Sequence, residues 1–153
     1  MDVQVATLCD SAMDYNGKLC VLGTFDTICS RGTPIIHPQC SLALRICFRP
    51  GDEGTHQFEI ALIDADGQLV RHQAPGKFGE PEMNPTLHLR PKINIRFPGE
   101  DSYFITRNIV LNLQRLKLDE AGQYSIDVSV DGEILTRVPL RVMLVEERGT
   151  AEA

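Results

Sequence analysis

The stretch that decides the fold is LNLQRLKLDEAGQYSI, which occupies residues 111–126. Seven positions carry its pattern, at relative spacings of 0, 2, 5, 9, 11, 13 and 15: Leu111, Leu113, Leu116, Glu120, Gly122, Tyr124 and Ile126. The spacing predicts that Leu111 and Leu113 face the core from one strand, because alternate residues of a strand share a face. Leu116 is expected to change face as the chain leaves the sheet.

The spacing resembles the E–F signature of immunoglobulin domains, L-x-I-x-x-L-x-x-x-D-x-A/G-x-Y-x-C. In that motif the tyrosine packs inward and its hydroxyl binds upstream backbone at the corner between two strands. The resemblance implies that Glu120, Gly122 and Tyr124 form such a corner. Ile126 stands where antibody domains carry a cysteine, and the chain has no tryptophan. The resemblance therefore implies the architecture without the disulfide; the alternative is an unrelated hairpin preceded by a loop.

Three turn dipeptides lie between candidate strands: Asn16-Gly17, Asp66-Gly67 and Asp131-Gly132. Each suits the two positive φ angles that a type I′ hairpin turn requires. A two-residue turn at Asn16-Gly17 predicts a first hairpin in which the opposed pairs are Tyr15 with Lys18, Met13 with Cys20, and Cys9 with Thr24.

Strand patterns continue along the rest of the chain, whereas helical periodicity is nearly missing. Residues 40–48 alternate, with Leu42, Leu44, Ile46 and Phe48 on one face and Ala43, Arg45 and Cys47 on the other. Residues 87–97 are apolar at every odd position and polar at every even one. Pro91 cannot donate to a strand ladder, so this strand is expected at a sheet edge or with a bulge. Residues 73–86 contain three prolines and two glycines and are interpreted as a long loop.

About nine short strands punctuated by turns predict an all-β fold. The specific prediction is an immunoglobulin-like β-sandwich with an additional N-terminal β-hairpin. We expect one domain over residues 1–146, followed by a frayed tail at 147–153.

Six short stretches resemble a family of uncharacterised bacterial proteins, a domain of unknown function: LCDSA at 8–12, NGKL at 16–19, LGTFD at 22–26, NIVLNL at 108–113, GQY at 122–124 and VPL at 138–140. The resemblance covers most of the chain and implies a small bacterial all-β protein. It brings no catalytic or binding residues with it.

Charge and cysteine usage narrow the class of protein. The formal net charge is −6, which argues against general binding to nucleic acid or an anionic membrane. The sequence shows no signal peptide and no apolar run long enough to span a bilayer. The cysteine count is odd, at five, and no C-x-x-C occurs. These features predict a cytoplasmic protein with reduced thiols.

No motif for catalysis, a cofactor or a metal is found. His37 and Cys40 form an H-x-x-C, but no second pair has zinc-ligand spacing. The calcium-like run at residues 64–67 fits a hairpin turn better than an EF-hand loop. No nucleophile elbow, phosphate loop or dinucleotide fingerprint is present. We therefore predict no catalytic residues, no cofactor and no metal ligands.

A local excess of positive charge is the remaining candidate feature. Residues 86–118 hold six cations and two acids: Arg90, Lys92, Arg96, Arg107, Arg115 and Lys117, with Glu100 and Asp101. One hypothesis is that the face carrying Arg90, Lys92 and Arg96 receives an acidic partner. The alternative is ordinary edge protection, in which charges discourage strand–strand aggregation.

The preferred functional interpretation is a non-enzymatic protein-interaction module. It would bind an unknown protein partner or a second copy of itself through a strand edge or the loop at 73–86. A small-ligand or carbohydrate-binding sandwich is the alternative, although three tyrosines and no tryptophan offer little for sugar stacking. An enzyme with a site built across loops is the third possibility.

Overall fold

The computed structural model describes residues 1–146. They form twelve strands and one 3-10 turn at Pro50–Asp52, with no α-helix among them. The strands in chain order are β1 (Asp2–Tyr15), β2 (Lys18–Phe25), β3 (Thr27–Ser30), β4 (Ile35–Phe48), β5 (Gly54–Asp64), β6 (Arg71–Pro75), β7 (Pro81–Pro85), β8 (His88–Leu89), β9 (Lys92–Ile95), β10 (Ile105–Leu118), β11 (Gly122–Val130) and β12 (Glu133–Leu144). The prediction of an all-β chain is confirmed. The tail expected at 147–153 lies outside the described residues.

Two main sheets and one small one make up the structure. The first sheet has the order β10-β4-β1-β2, and every neighbouring pair in it is antiparallel. The second has the order β3-β12-β11-β5-β8, with β9 also pairing with β5. In it β3 runs parallel to β12, and the other pairs are antiparallel. Strands β6 and β7 form a two-stranded sheet of their own.

One hydrophobic core joins the two main sheets. The first sheet contributes Leu8 and the predicted inward face of β4, including Leu42, Leu44, Ile46 and Phe48. The second contributes Phe58, Ile60 and Leu62 from β5, with Ile126, Val128, Val138 and Leu140 from β11 and β12. Burying such side chains is the main favourable term in folding, at about 1.5–3 kcal/mol for each fully buried one.

The N-terminal hairpin has the predicted register, with Tyr15 opposite Lys18, Met13 opposite Cys20, and Cys9 opposite Thr24. Both turn residues have positive φ angles, 50° at Asn16 and 79° at Gly17. The hairpin is therefore closed by the local turn, as the sequence indicated.

The position of this hairpin in the fold depends on contacts with residues that are distant in sequence. β1 pairs with β4 through its first half and with β2 through its second half. β1 also contacts β10, although β4 lies between them in the sheet. The hairpin therefore folds back over the outer face of the first sheet. This cover explains why Ala43, predicted to point away from the core, is nonetheless fully buried.

The other two turn dipeptides differ from each other. Asp131 and Gly132 both have positive φ angles, and Val130 pairs with Glu133 across them, as predicted. At Asp66-Gly67 only the glycine has a positive φ, so the type I′ prediction is wrong there. The Asp64 carboxylate accepts hydrogen bonds from the backbone N–H groups of Asp66 and Gln68 and organises a wider turn instead.

Two segments depart from the strand predictions. Residues 73–86 contribute to the hairpin formed by β6 and β7, so the expected long loop is wrong. Residues 87–97 form two short strands separated at Pro91, both paired with the edge of β5. The edge location expected from Pro91 is confirmed. The break leaves Leu89 exposed, although the alternation placed it inward.

Candidate functional site

The corner around Tyr124 holds the end of β10 to the start of β11. The Tyr124 hydroxyl donates a 2.6 Å hydrogen bond to the backbone carbonyl of Glu120. Gly122 begins β11, and the Ile126 side chain lies fully buried in the core. Burial, followed by the nearby carboxylates, raises the pKa of the Tyr124 hydroxyl, so it remains a donor. The bond thus closes the connection between β10 and β11.

The change of face in β10 occurs where the pattern of leucines predicts it. Leu113 and Leu116 are both buried although three positions separate them. Between them Arg115 has a φ of 53°, an angle that L-residues rarely adopt. The strand nevertheless keeps one register against β4 from Ile105 to Leu118.

The three cations predicted as a partner-binding face lie along the edge of β5, but they are not equivalent. The Arg90 Nε donates to the Glu59 carboxylate at 2.8 Å, and this bond is the main cause that lowers the pKa of Glu59. Lys92 begins β9 and Arg96 follows its end, and both are exposed. Arg90 is therefore used inside the chain, and the other two cations remain available at the edge.

The outer edge of β10 is the most extensive unpaired backbone on this side of the molecule. β10 is fourteen residues long, and within residues 1–146 it pairs only with β4. Its C-terminal end is covered, since Lys117 donates from Nζ to the backbone carbonyl of Gln73 in β6. From Ile105 to Leu113 no strand other than β4 is paired with it in the described chain. We call this stretch the open edge.

The open edge and the strands β8 and β9 lie on the same flank. Thr86, two residues before β8, donates from Oγ1 to the Lys117 carbonyl at 3.0 Å, near the end of β10. The chain then follows the edge of β5 through β8 and β9 and returns to β10 at Ile105. Two sheet edges thus border one flank, while β1 contacts β12 elsewhere.

Exposed side chains of two kinds mark this flank. Tyr103 and Phe104, directly before the open edge, are 83% and 55% exposed. Four exposed cations have no acidic partner among residues 1–146: Lys92, Arg96, Arg107 and Arg115. Aromatic residues and arginine are the types that interfaces enrich.

The sequence matches the family of unknown function DUF6941 over residues 4–143. The chain belongs to this family. No curated protein matches the sequence. The matched region of this DUF6941 chain extends from β1 into β12, so it includes the open edge, the Tyr124 corner and both hairpins.

The hairpin of β6 and β7 is a second exposed feature of the DUF6941 chain. Its tip carries Phe78, which is 95% exposed, and Met83 on β7 is also exposed. The base is tied to β10 by Lys117 and by Asp119, which accepts the backbone N–H of Gln73. No sequence pattern indicated a hairpin here, because the prolines of this segment favoured a loop.

A histidine–aspartate pair was missed by the sequence patterns, since its members are 75 positions apart. The His56 Nδ1 lies 2.7 Å from the Asp131 carboxylate, and Nε2 lies 2.6 Å from the Asp52 backbone carbonyl. Both partner atoms are oxygens that accept hydrogen bonds, so both contacts favour the ring with a proton on each nitrogen. The hydrogen bond to Asp131, followed by that to Asp52, raises the pKa of His56. The ring therefore links the β11–β12 turn, through Asp131, to the backbone before β5, through Asp52.

Cysteines and cavities offer little chemistry in the described part of the chain. Cys9, Cys40 and Cys47 are buried, whereas Cys20 and Cys29 are exposed, and all five are free thiols. No group of three histidine, cysteine, aspartate or glutamate side chains in residues 1–146 could hold a metal ion.

A groove of about 350 Å³ lies between β1, β2 and β12 and is lined by Ala6, Thr7, Thr24, Phe25, Asp26, Val138 and Pro139. No helix in the described chain has the length and apolarity to cross a membrane.

Proposed function

We propose that this DUF6941 chain is a non-enzymatic protein-interaction module that takes an extended segment of a protein along the open edge of β10. The observation that carries the proposal is the run from Ile105 to Leu113, which is paired with β4 alone in the described structure. Such an edge presents a row of backbone donors and acceptors that another strand can pair with. Peptide recognition by strand addition uses this arrangement.

A comparison with β12 shows what is unusual about the open edge. β12 pairs with β3 only from Arg141 to Leu144, so its earlier residues also lie at an edge. There Pro139 removes a donor, and a register shift opposite Val128 and Ser129 interrupts the ladder. Prolines and bulges are common ways to protect an edge. The open edge has neither device, and its register against β4 is continuous.

The arrangement of the strands supports an immunoglobulin-like sandwich as the scaffold. β1, β4 and β10 share one sheet, and β5, β11 and β12 share the other, as strands A, B, E and C, F, G do in that fold. The hydrogen bond from Tyr124 to Glu120 fits the tyrosine corner of such domains. On this interpretation β2 is the additional strand of the N-terminal hairpin.

The proposal also holds that the chain has no catalytic activity and that it works in the cytoplasm. The occupied nitrogens of His56 support a binding role over an acid–base role for the best-placed histidine. Five free thiols support a reducing, cytoplasmic compartment. Bacterial origin rests on the family resemblance of the sequence. The partner we propose is a protein, and neither a nucleic acid nor a membrane.

The test begins with peptides selected from a random library of linear twelve-residue sequences against the intact chain. Each binder is mapped by backbone amide hydrogen exchange, and the amides within residues 105–113 that point away from β4 should gain protection. The best binder is then synthesised in two forms, N-methylated at the odd or at the even positions. Strand pairing predicts that one form loses binding and the other keeps it, because alternate N–H groups of a strand face its neighbour.

Three results would overturn the proposal. Binders that protect only the β6–β7 hairpin or the outer side of the N-terminal hairpin would place the site elsewhere. Equal tolerance of both N-methylated forms would exclude strand pairing. A library that yields no binder, with the chain folded, would remove the interaction role of this edge.

A small-ligand site is the second candidate, and the groove between β1, β2 and β12 is the observation that supports it. Its volume of about 350 Å³ lies at the lower end for ligand pockets. A thermal-shift screen with sugars and nucleotides tests it, since a ligand that binds only the native state raises the Tm. Loss of that shift on Thr24→Trp, which fills the groove, would assign the ligand to it.

A further inference from the structure

We propose that the segment taken by the open edge is an acidic extended peptide and not a second copy of this chain. The proposal rests on the proposed function, because it names the partner of the same edge. The observations that carry it are the charges on β10 and on the facing edge of β9.

The charge of β10 has one sign. Residues 105–118 contain Arg107, Arg115 and Lys117 and no aspartate or glutamate, in a chain whose formal net charge is −6. Arg107 and Arg115 are exposed and have no ion-pair partner within residues 1–146. Lysine and arginine on an edge can serve as protection against pairing with another strand. The neighbouring sheet edge, at β9, carries further cations.

The facing edge supplies two further cations of the same kind. Lys92 and Arg96 flank β9 on the same flank as the open edge, and both are exposed. Glu59 neutralises Arg90 between β8 and β9 but does not pair with either of them. An added strand would lie about 4.8 Å from β10, with its side chains about 4.5–5.5 Å from those directly opposite. One of its faces would turn toward the second sheet, whose edge on this flank carries Lys92 and Arg96.

A second copy fits this surface poorly. Pairing two open edges would bring together two β10 strands that contain no acid, each with Arg107 inside the open edge and with Arg115 and Lys117 beyond it. Like charges directly across a strand pair are destabilising, whereas opposite charges are favourable. The same reasoning applies to antiparallel and parallel pairing. The charges therefore select an acidic strand over self-association.

The aromatic residues before the open edge supply the anchor that charges alone do not. Tyr103 and Phe104 are exposed directly before its N-terminal end. Interface energy concentrates in such rigid aromatic groups, while rim charges contribute more to selectivity and association rate. We therefore expect the bound peptide to combine aspartate or glutamate with an apolar residue near Tyr103.

The experiment uses the same twelve-residue library and asks for the composition of the peptides that protect residues 105–113. The expected result is enrichment of aspartate and glutamate over the input library. The double variant Arg107→Glu with Arg115→Glu should bind the selected peptide about tenfold more weakly, and higher salt should weaken the wild-type complex. The matched control is Lys18→Glu with Lys77→Glu, which makes the same change in net charge on the two hairpins and should leave affinity unchanged.

The outcomes separate this inference from the proposed function. Binders that protect the open edge but are neutral or basic would overturn the acidic partner and leave strand addition intact. Equal weakening by both double variants would mean that only the net charge matters, and would also overturn it. Concentration-dependent dimers with protected amides at 105–113 would replace the acidic peptide with a second copy. If no binder protects this edge, the proposed function itself fails. Circular dichroism of each variant confirms that it is folded.

Discussion

Asn108 on β10 and Asp14 near the tip of the N-terminal hairpin are hydrogen-bonded, although 94 positions separate them. The Asn108 Nδ2 donates to the Asp14 carboxylate at 2.8 Å, which is the main cause that lowers the pKa of Asp14. Arg45 on β4 completes the contact, since its Nη1 donates to the Asn108 side-chain oxygen and to the Gly17 carbonyl. These bonds hold the hairpin over the outer face of the first sheet.

Replacing Asn108 should therefore release the hairpin tip. Asn108→Ala removes the bonds to Asp14 and Gly17 and leaves Arg45 with fewer acceptors. We expect the free energy of unfolding to fall, because two hydrogen bonds that join β10 to the hairpin tip are lost. Urea denaturation measures the loss, and hydrogen exchange should show faster exchange in residues 11–22.

Gln114→Ala is the matched control, since Gln114 is an exposed polar residue of the same strand. It should leave both the urea midpoint and hairpin exchange unchanged. Equal behaviour of the two variants would mean that the bonds of Asn108 do not hold the hairpin in place.

This hairpin also shows which features of the fold can be predicted from the sequence. Its register follows from Asn16-Gly17, because a two-residue turn fixes the pairing on both sides. Its placement over β4 depends on partners that are distant in sequence, and no local pattern encodes it. The same limit applies to Arg90: its charge was visible in the sequence, but its ion pair with Glu59 was not.

The candidate site was only partly predictable for a related reason. Alternation predicted residues 87–97 as one strand, but Pro91 divides it and the two halves pair separately with β5. The basic residues were correctly placed at a sheet edge. That β10 lies on the same flank, with its own edge unpaired, follows from the order of the strands, which spacing alone does not determine.

The hydroxyl of Tyr124 should contribute measurably to stability. Tyr124→Phe keeps the ring in place and removes the 2.6 Å bond to the Glu120 carbonyl. We expect the free energy of unfolding to fall by about 0.5–1.5 kcal/mol, the net value of a typical hydrogen bond. Tyr103→Phe serves as the control, because Tyr103 is largely exposed. If the two variants unfold at the same urea concentration, the corner bond does not stabilise the fold.

The side chain that follows this corner should matter more. Ile126 is fully buried between the sheets, and Ile126→Ala leaves a cavity there. The expected cost is about 2–5 kcal/mol in the free energy of unfolding. Ile134→Ala, at an exposed position of β12, should cost far less. Thermal unfolding of both variants gives the comparison, and a small shift for Ile126→Ala would contradict its place in the core.

Stability should depend on pH through His56. Its folded-state pKa is raised above 6.5 by the bonds to Asp131 and Asp52, whereas the unfolded chain has the ordinary value. Below pH 6.5 both states are protonated and the stabilisation is fully present; it is lost as pH rises through the folded-state pKa. Urea midpoints should therefore fall from pH 6.5 to 8. His56→Gln should remove this slope and His72→Gln should keep it. A slope unchanged in His56→Gln would assign it to other groups.

The five thiols should fall into a fast and a slow class of reactivity when the folded chain is treated with a thiol-specific disulfide reagent. Cys20 and Cys29 are exposed and should react within minutes, because the reagent can reach them. Cys9, Cys40 and Cys47 are buried, and burial raises the pKa of Cys40 to about 11, so little thiolate forms there at neutral pH. These three should react only at the rate of unfolding. Absorbance of the released thiolate counts the fast sites, and Cys20→Ser with Cys29→Ser should abolish the fast phase. A fast phase of more than two thiols would mean that the first sheet opens, since Cys9, Cys40 and Cys47 all lie on paired strands of that sheet.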